Sequence, residues 1–476
     1  MTMPGLLLLL IELIAVAVLA VVSSSLFGMA DGARIAAAFG VAYLVPFLLL
    51  RHARGYSAGA RILLLLLAAF LSWVAIDSMQ YWIELDGYSL QRPNLHGDER
   101  QYYKWALYRY DGSVEPTTSV FPGFPLVMLA LWKVLGLSVV WPVALNMMCT
   151  MVSVVLTGMT TRRLLAHRVS LPDKALVLGA MLVMSILFFY LMAGSSILKE
   201  GIVFLSVSMA GYALSSMDTS DEERHRLARD IILFVLACMM LALVRTTYLY
   251  VLLLGLLVMT IPHWRRDWML ALFLIVVIAI SMVVGNHYAS YSFGRHVEIA
   301  GGGWNMQRIY YSKSLYTDLI GYYFLFSPLH KLALLPVTMF LQYLLPLPWM
   351  LHHQVPYLHS LVCRFSYGWY LVGGITLYYV LFLSWRRGAG MGAWPWWPVL
   401  FYIALAYVMG GSMARYLLPV EPLMVPVVMY VFGRLYEGRW RRSFAVWMAC
   451  VVIAVAAALL VCLELQTGAV SSWLHA

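Results

Sequence analysis

The sequence is poor in charge. Only 11% of its 476 residues are Asp, Glu, Lys or Arg, where a soluble domain carries about 25%. A chain this short of ionic side chains cannot cover itself with a water-compatible surface. Cysteine is scarce as well. Cys149, Cys238, Cys363, Cys450 and Cys462 stand far apart, with no CxxC and no zinc spacing, which excludes a disulfide framework and a structural zinc site. No soluble domain, low-complexity linker or fixed-period repeat is visible. The first segment, Met1–Val22, lacks the Lys/Arg-bearing start of a signal peptide and reads as an uncleaved first span.

What the chain has in abundance is apolar length. Hydrophobic residues make up 63% of it, and the mean hydropathy is +0.82. Leu-, Val- and Ala-rich runs of roughly 17–22 residues recur, the length that crosses about 30 Å of hydrocarbon. The expected fold is an all-α polytopic membrane protein, a single transmembrane domain over 1–476 with about 13 spans. They fall near 5–22, 34–50, 61–80, 138–160, 175–192, 197–215, 230–244, 246–262, 268–285, 366–384, 394–411, 417–433 and 443–463.

The connecting segments sort by charge. One set is short and basic: Arg51–Arg61, Arg162–Lys174, Met217–Asp230, His263–Asp267, Arg386–Arg387 and Arg434–Arg442. It holds 18 of the 32 Lys/Arg and 8 of the 22 Asp/Glu, net +10, and leaves 14 of each for the rest of the chain. The positive-inside rule makes this set cytoplasmic. Nucleic-acid binding does not account for the +10, because no soluble basic face exists to bind it. The acidic and basic run Asp218–Asp230 reads as a solvated cytoplasmic loop.

Two long extracytoplasmic loops follow, at 77–137 and 286–365. Each holds an apolar stretch that cannot cross without breaking parity. Phe124–Gly136 is too short, and Lys331–Met350 carries Pro336, Pro346 and Pro348. Both are expected as interfacial or re-entrant helices.

Polar groups at membrane depth are costly and need a partner or a purpose. In the predicted topology they gather on the outer side. In chain order they are His96-Gly97-Asp98-Glu99-Arg100-Gln101-Tyr102-Tyr103, Phe121-Pro122-Gly123-Phe124-Pro125, Ser195-Ser196-Ile197-Leu198-Lys199-Glu200, Arg245-Thr246-Thr247-Tyr248 and Arg415-Tyr416-Leu417-Leu418-Pro419, with Glu421-Pro422. In order and sidedness these motifs resemble the polytopic GT-C glycosyltransferases, in particular the protein mannosyltransferase and aminoarabinose transferase-like group, from about Asp77 to Tyr430. Two features depart from that pattern. Three spans precede the acidic loop where the family has one, and the proline motif reads Pro-Gly-Phe-Pro rather than paired prolines.

The resemblance implies transfer of a sugar, with inversion, from a polyprenyl-phosphate donor to an envelope glycan, lipid or protein at the extracytoplasmic face of a bacterial inner membrane. Such chemistry needs a carboxylate to take the acceptor's proton and cations to stabilise the departing phosphate. The resemblance makes Asp98 the base, with Glu99 next. Adjacent helical residues diverge, so one carboxylate is expected to face the acceptor and the other a metal or a basic side chain.

Lys199, Arg245 and Arg415 are the phosphate candidates, with Arg308 and Arg295 of the second outer loop after them; interfacial snorkelling is the plain alternative for each. Glu200 is expected to pair with Lys199 or a nearby Arg. Tyr102 and Tyr103 offer aromatic faces for a sugar ring, while the other Trp and Tyr read as interfacial belts. His352, His353 and His359 read as solvated interfacial side chains, although three imidazoles so close could hold a divalent cation, and a cation requirement stays open. Gly301-Gly302-Gly303 reads as a turn.

Two other functions compete. A polysaccharide polymerase or ligase would take a diphosphate-linked oligosaccharide and has less need of the acidic pair. A flippase or transporter would keep its ionisable residues near the midplane, with inverted repeats.

Single cysteines at Asp98, Arg415, Arg54 and Arg439, on a background without native cysteines, test the orientation. A membrane-impermeant thiol reagent should label the first two in intact cells and spare the last two. The reverse pattern overturns the topology.

Overall fold

The computed structural model describes residues 3–85, 87–95, 97–112, 123–186, 194–215, 227–245, 394–400 and 420–450, with isolated positions elsewhere. Among these residues all regular structure is helical. In chain order the helices are α1 (Met3–Phe27), α2 (Met29–Arg51), α3 (Ala58–Ile83), α4 (Gly97–Asp111), α5 (Gly123–Leu135), α6 (Val140–Leu165), α7 (Asp173–Ser185), α8 (Glu200–Ser215), α9 (Leu227–Val244) and α10 (Glu421–Tyr436).

Four of them, α1, α2, α3 and α6, are long and apolar enough to cross a membrane, where spans are expected at 5–22, 34–50, 61–80 and 138–160. Helices α7 to α10 overlie the spans expected at 175–192, 197–215, 230–244 and 417–433. Of the spans expected at 246–262, 268–285 and 366–384, and of the loop 286–365, only isolated positions are described.

Local chemistry sets the helix ends. Between α1 and α2 the chain reverses on Gly28 alone, at φ 81°, a conformation that glycine adopts without a Cβ penalty. Ser57 caps α3, its Oγ accepting the Ala60 N–H at 3.1 Å. The short α5, 13 residues long, cannot span. It closes where Trp132 donates its indole N–H to the Ser138 carbonyl at 2.9 Å.

Helix α6 lies at the centre, packed against α2, α3, α5, α7, α8 and α10. Of its most apolar stretch 78% is buried, against 17% for the peripheral α1. Its sequence is rich in hydroxyls, and four of them are satisfied within the helix. Ser153, Thr157, Thr160 and Thr161 each donate to the carbonyl four residues back at 2.7–2.8 Å. Small side chains with satisfied hydroxyls let neighbouring helices approach closely.

The two ends of α6 differ in charge. Near its start Asn146 meets the turn before α8, and near its end Arg163 meets Asp230 at 3.2 Å and donates to the Tyr212 carbonyl at 2.9 Å. Seventeen residues separate them, about 25 Å at 1.5 Å per residue. The Arg163 end also gathers Arg162 with Asp173, at 2.6 Å, and Arg434 with Glu437, at 3.0 Å. Glu437 caps that end: despite some burial, the Ser170 N–H and the Arg434 guanidinium hold its carboxyl below the usual carboxylate range.

Arg61, counted above with the basic loop Arg51–Arg61, stands inside α3 and is buried. It grips Glu12 of α1 through two bonds, at 2.6 and 2.5 Å, and Tyr43 of α2 donates its hydroxyl to the same carboxylate at 2.5 Å. A buried pair of this kind tolerates joint removal far better than loss of one partner. Arg61→Leu alone should cost about 3–5 kcal/mol, and Glu12→Leu with Arg61→Leu should restore most of it. Thermal unfolding of the chain in detergent measures these losses; a double-variant loss equal to the sum of the Arg61→Leu and Glu12→Leu losses would show that the pair is not coupled.

Candidate functional site

Helix α4 is polar and only 15 residues long, and it opens on Asp98 and Glu99 in its first turn. Carboxylates are favoured there by the partial positive charge of a helix N-terminus. One turn on, Tyr102 and Tyr103 point to different neighbours, as adjacent helical positions must. Tyr102 meets Phe124 edge to face, with centroids 5.5 Å apart, and its ring lies 5.4 Å from Lys199 Nζ. Tyr103 turns instead to Trp132, with centroids 5.3 Å apart, and donates its hydroxyl to the Gln91 carbonyl. It is the brace between α4 and α5, and Tyr102 is the ring beside the charges.

The second wall is the turn before α8. Asn146 donates from Nδ2 to the carbonyls of Ser196 and Leu198, at 2.7 and 2.6 Å. The turn so held presents the Ile197 N–H to Glu99 Oε1, at 3.4 Å. Three residues further on, Glu200 is buried, with Oε1 3.5 Å from Arg245 Nη1 just beyond α9; the basic partner expected for Glu200 is therefore Arg245. Its Oε2 is buried with no hydrogen-bond partner among the described residues. The Arg245 guanidinium in turn lies 4.8 Å from the Tyr248 ring centroid.

The Pro-Gly-Phe-Pro motif brings the third wall in. A Cβ on Gly123 would fall 1.7 Å from the Leu243 carbonyl oxygen, so only glycine lets α5 start against the end of α9. Phe124 then supports Tyr102, and the helix end that carries Arg245 is held beside them. Asp98, Glu99, Tyr102, Lys199, Glu200 and Arg245, from three separate stretches of chain, thus gather at one end of the bundle.

Burial pushes the Glu99 carboxyl up to about 7. The Ile197 N–H pulls it the other way, and the negative charges of Asp98 and Glu200 push it further up. A carboxyl poised there can hold or release a proton at neutral pH, which suits acid–base work. Two cations share this end of the bundle, Lys199 over the Tyr102 ring and Arg245 paired with Glu200. Among the described residues no group of three or more His, Cys, Asp or Glu side chains is arranged to hold a metal ion. Arg415, Arg308, Arg295, His352, His353 and His359 lie outside the described residues.

Asn146 was not among the residues singled out from the sequence. Its signal was present: an amide side chain inside an apolar run, which must find a partner at membrane depth.

The raised Glu99 carboxyl has a consequence for stability. Its proton is held more tightly in the folded than in the unfolded chain, so stability is fullest below about pH 4.5 and falls as pH rises towards 7. Thermal midpoints in detergent should show that fall between pH 5 and 8, and Glu99→Gln should flatten it. A slope unchanged in the variant would assign it to another group. Comparison with protein-family models, with curated proteins and with solved structures finds no match, so the chemistry of this cluster is read from its own residues.

Proposed function

We propose that the chain is a GT-C-type membrane glycosyltransferase that moves a sugar, with inversion, from a polyprenyl-phosphate donor to an acceptor hydroxyl or amine of an envelope glycan, lipid or protein. The cluster around Asp98 is its active site, on the extracytoplasmic face of a bacterial inner membrane. The observation that supports this reading is the meeting, at one end of the bundle, of a carboxylate pair, an aromatic face and two cations. The orientation rests on the +10 charge excess of the segments assigned to the cytoplasm.

In this mechanism Asp98 takes the acceptor's proton as its oxygen or nitrogen forms a bond to the sugar C1. The C1–O bond to phosphate breaks on the opposite face, and the phosphate leaves with the bonding electrons. Lys199 and Arg245 stabilise the negative charge that develops on it. Glu99, hydrogen-bonded to the Ile197 N–H, positions α4 against the turn that carries Lys199. Tyr102, buried against Phe124, carries Lys199 beside its ring and so helps to hold that cation in place. A transporter is the weaker reading, because these groups gather at one end of α6 rather than at its middle.

Asp98→Asn keeps the size of the side chain but cannot accept a proton at neutral pH. Sugar transfer in proteoliposomes should fall by about 10²–10⁴-fold, with donor affinity retained. Glu99→Gln should be hurt less. Lys199→Ala should weaken donor use by roughly tenfold to a hundredfold, the worth of a charge-assisted contact. A fully active Asp98→Asn enzyme removes Asp98 from the mechanism, and if Glu99→Gln is dead the base moves to Glu99. Full activity in both ends the glycosyltransferase reading.

A further inference from the structure

The three helices before α4 enclose a groove of about 400 Å³ between α1, α2 and α3. Val16, Leu19, Leu26, Phe39, Ala68 and Ile76 wall it, and Gly40 of α2 opens into it, with nothing within 4 Å of where its Cβ would stand. Along α1 it runs from Glu12 to Leu26, about 21 Å at the rise of an α-helix. All three helices are long and apolar enough to cross a bilayer, so the groove lies at hydrocarbon depth. Most of its wall is apolar. A hydrocarbon chain is the filling its walls accept.

The two ends of the groove differ. At one end Glu12, Tyr43 and Arg61 bond one another, and the carboxylate is neutralised within the protein. At the other stand Trp73, Asp77 and Gln80, on one face of α3 at helical spacing and all exposed. Asp77 makes no hydrogen bond or ion pair with any described residue. It stands six residues before the end of α3, about 9 Å below it, and Trp73 lies one turn deeper.

A carboxylate facing lipid needs a positive partner, and the described residues supply none. Among lipid headgroups an anionic one would be repelled, and a quaternary ammonium has no N–H to donate. A primary ammonium brings both the charge and the donors.

We propose that this groove is a binding site for an aminophospholipid, with one hydrocarbon chain lying between α1, α2 and α3 and the headgroup ammonium against Asp77. The site is separate from the cluster around Asp98 and does not rest on the transferase reading. Lipid retained here holds α1 onto α2 and α3 by filling the space between them.

Native mass spectrometry of the full-length chain in detergent tests the site. The chain is titrated with ethanolamine, choline and glycerol phospholipids of identical acyl chains. The ethanolamine lipid should bind best, and Asp77→Asn should reduce its advantage by about two- to fivefold, the weight of a half-solvated ion pair. Gly40→Leu, whose side chain enters open space, should fill the groove and abolish binding of all three at this site while leaving the chain monodisperse. Equal binding of the three headgroups to the unaltered chain would overturn the headgroup assignment. Undiminished ethanolamine preference in Asp77→Asn would do the same, and unchanged binding in Gly40→Leu would overturn the groove.

Discussion

Asn146 lies less than two turns into α6, and its amide donates to two backbone carbonyls, those of Ser196 and Leu198. The chain between α7 and α8 is not helical there, and a non-helical backbone at membrane depth leaves carbonyls with no partner of their own. Each unsatisfied group costs several kcal/mol in hydrocarbon. One side chain from the central helix removes two such losses. The break before α8 becomes tolerable, and the break is what sets Lys199 and Glu200 facing α4. At the far end of the same helix Arg163 performs the parallel task for the Tyr212 carbonyl and Asp230. The bundle is pinned through α6 at both ends by polar groups that the apolar surroundings force into contact.

The charged cluster stands on an aromatic scaffold. Trp132 receives Tyr103 and Tyr110 edge to face and anchors its own N–H on Ser138, so α4 and α5 form one unit. Phe124 extends that unit to Tyr102. The backbone contact at Gly123 then sets the unit against α9, and with it Arg245. Positions that carry no charge thereby fix the spacing among those that do.

Much of this was legible in the sequence, because hydrocarbon imposes a simple length rule. The helices at Met3–Phe27, Met29–Arg51, Ala58–Ile83 and Val140–Leu165 fall on apolar runs that are plain to read. So was the gathering of Asp98, Glu99, Lys199 and Arg245, since costly polar residues stand out against an apolar background. What stayed hidden was pairing and phase. Arg61 reads as a loop charge until its partner is known, and that partner lies 49 residues earlier. Tyr102 and Tyr103 are identical neighbours, and only the rotation of α4 against α5 divides them into a ring beside Lys199 and a brace on Trp132. Asn146 is a single amide among apolar residues, and nothing nearby in sequence announces the turn it holds.

The bond between Glu12 and Arg61 also bears on how the chain is made. Glu12 leaves the ribosome 49 residues ahead of Arg61, an interval of roughly 2–10 s at ordinary rates of synthesis. Throughout that interval α1 carries a carboxylate whose guanidinium partner in the fold has not yet been made. The single-residue reversal at Gly28 means that α2 follows α1 at once, bringing Tyr43 as the first donor Glu12 can find. Insertion of α1 is therefore completed by α3, and the order of translation is built into the order in which a buried carboxylate acquires its partners.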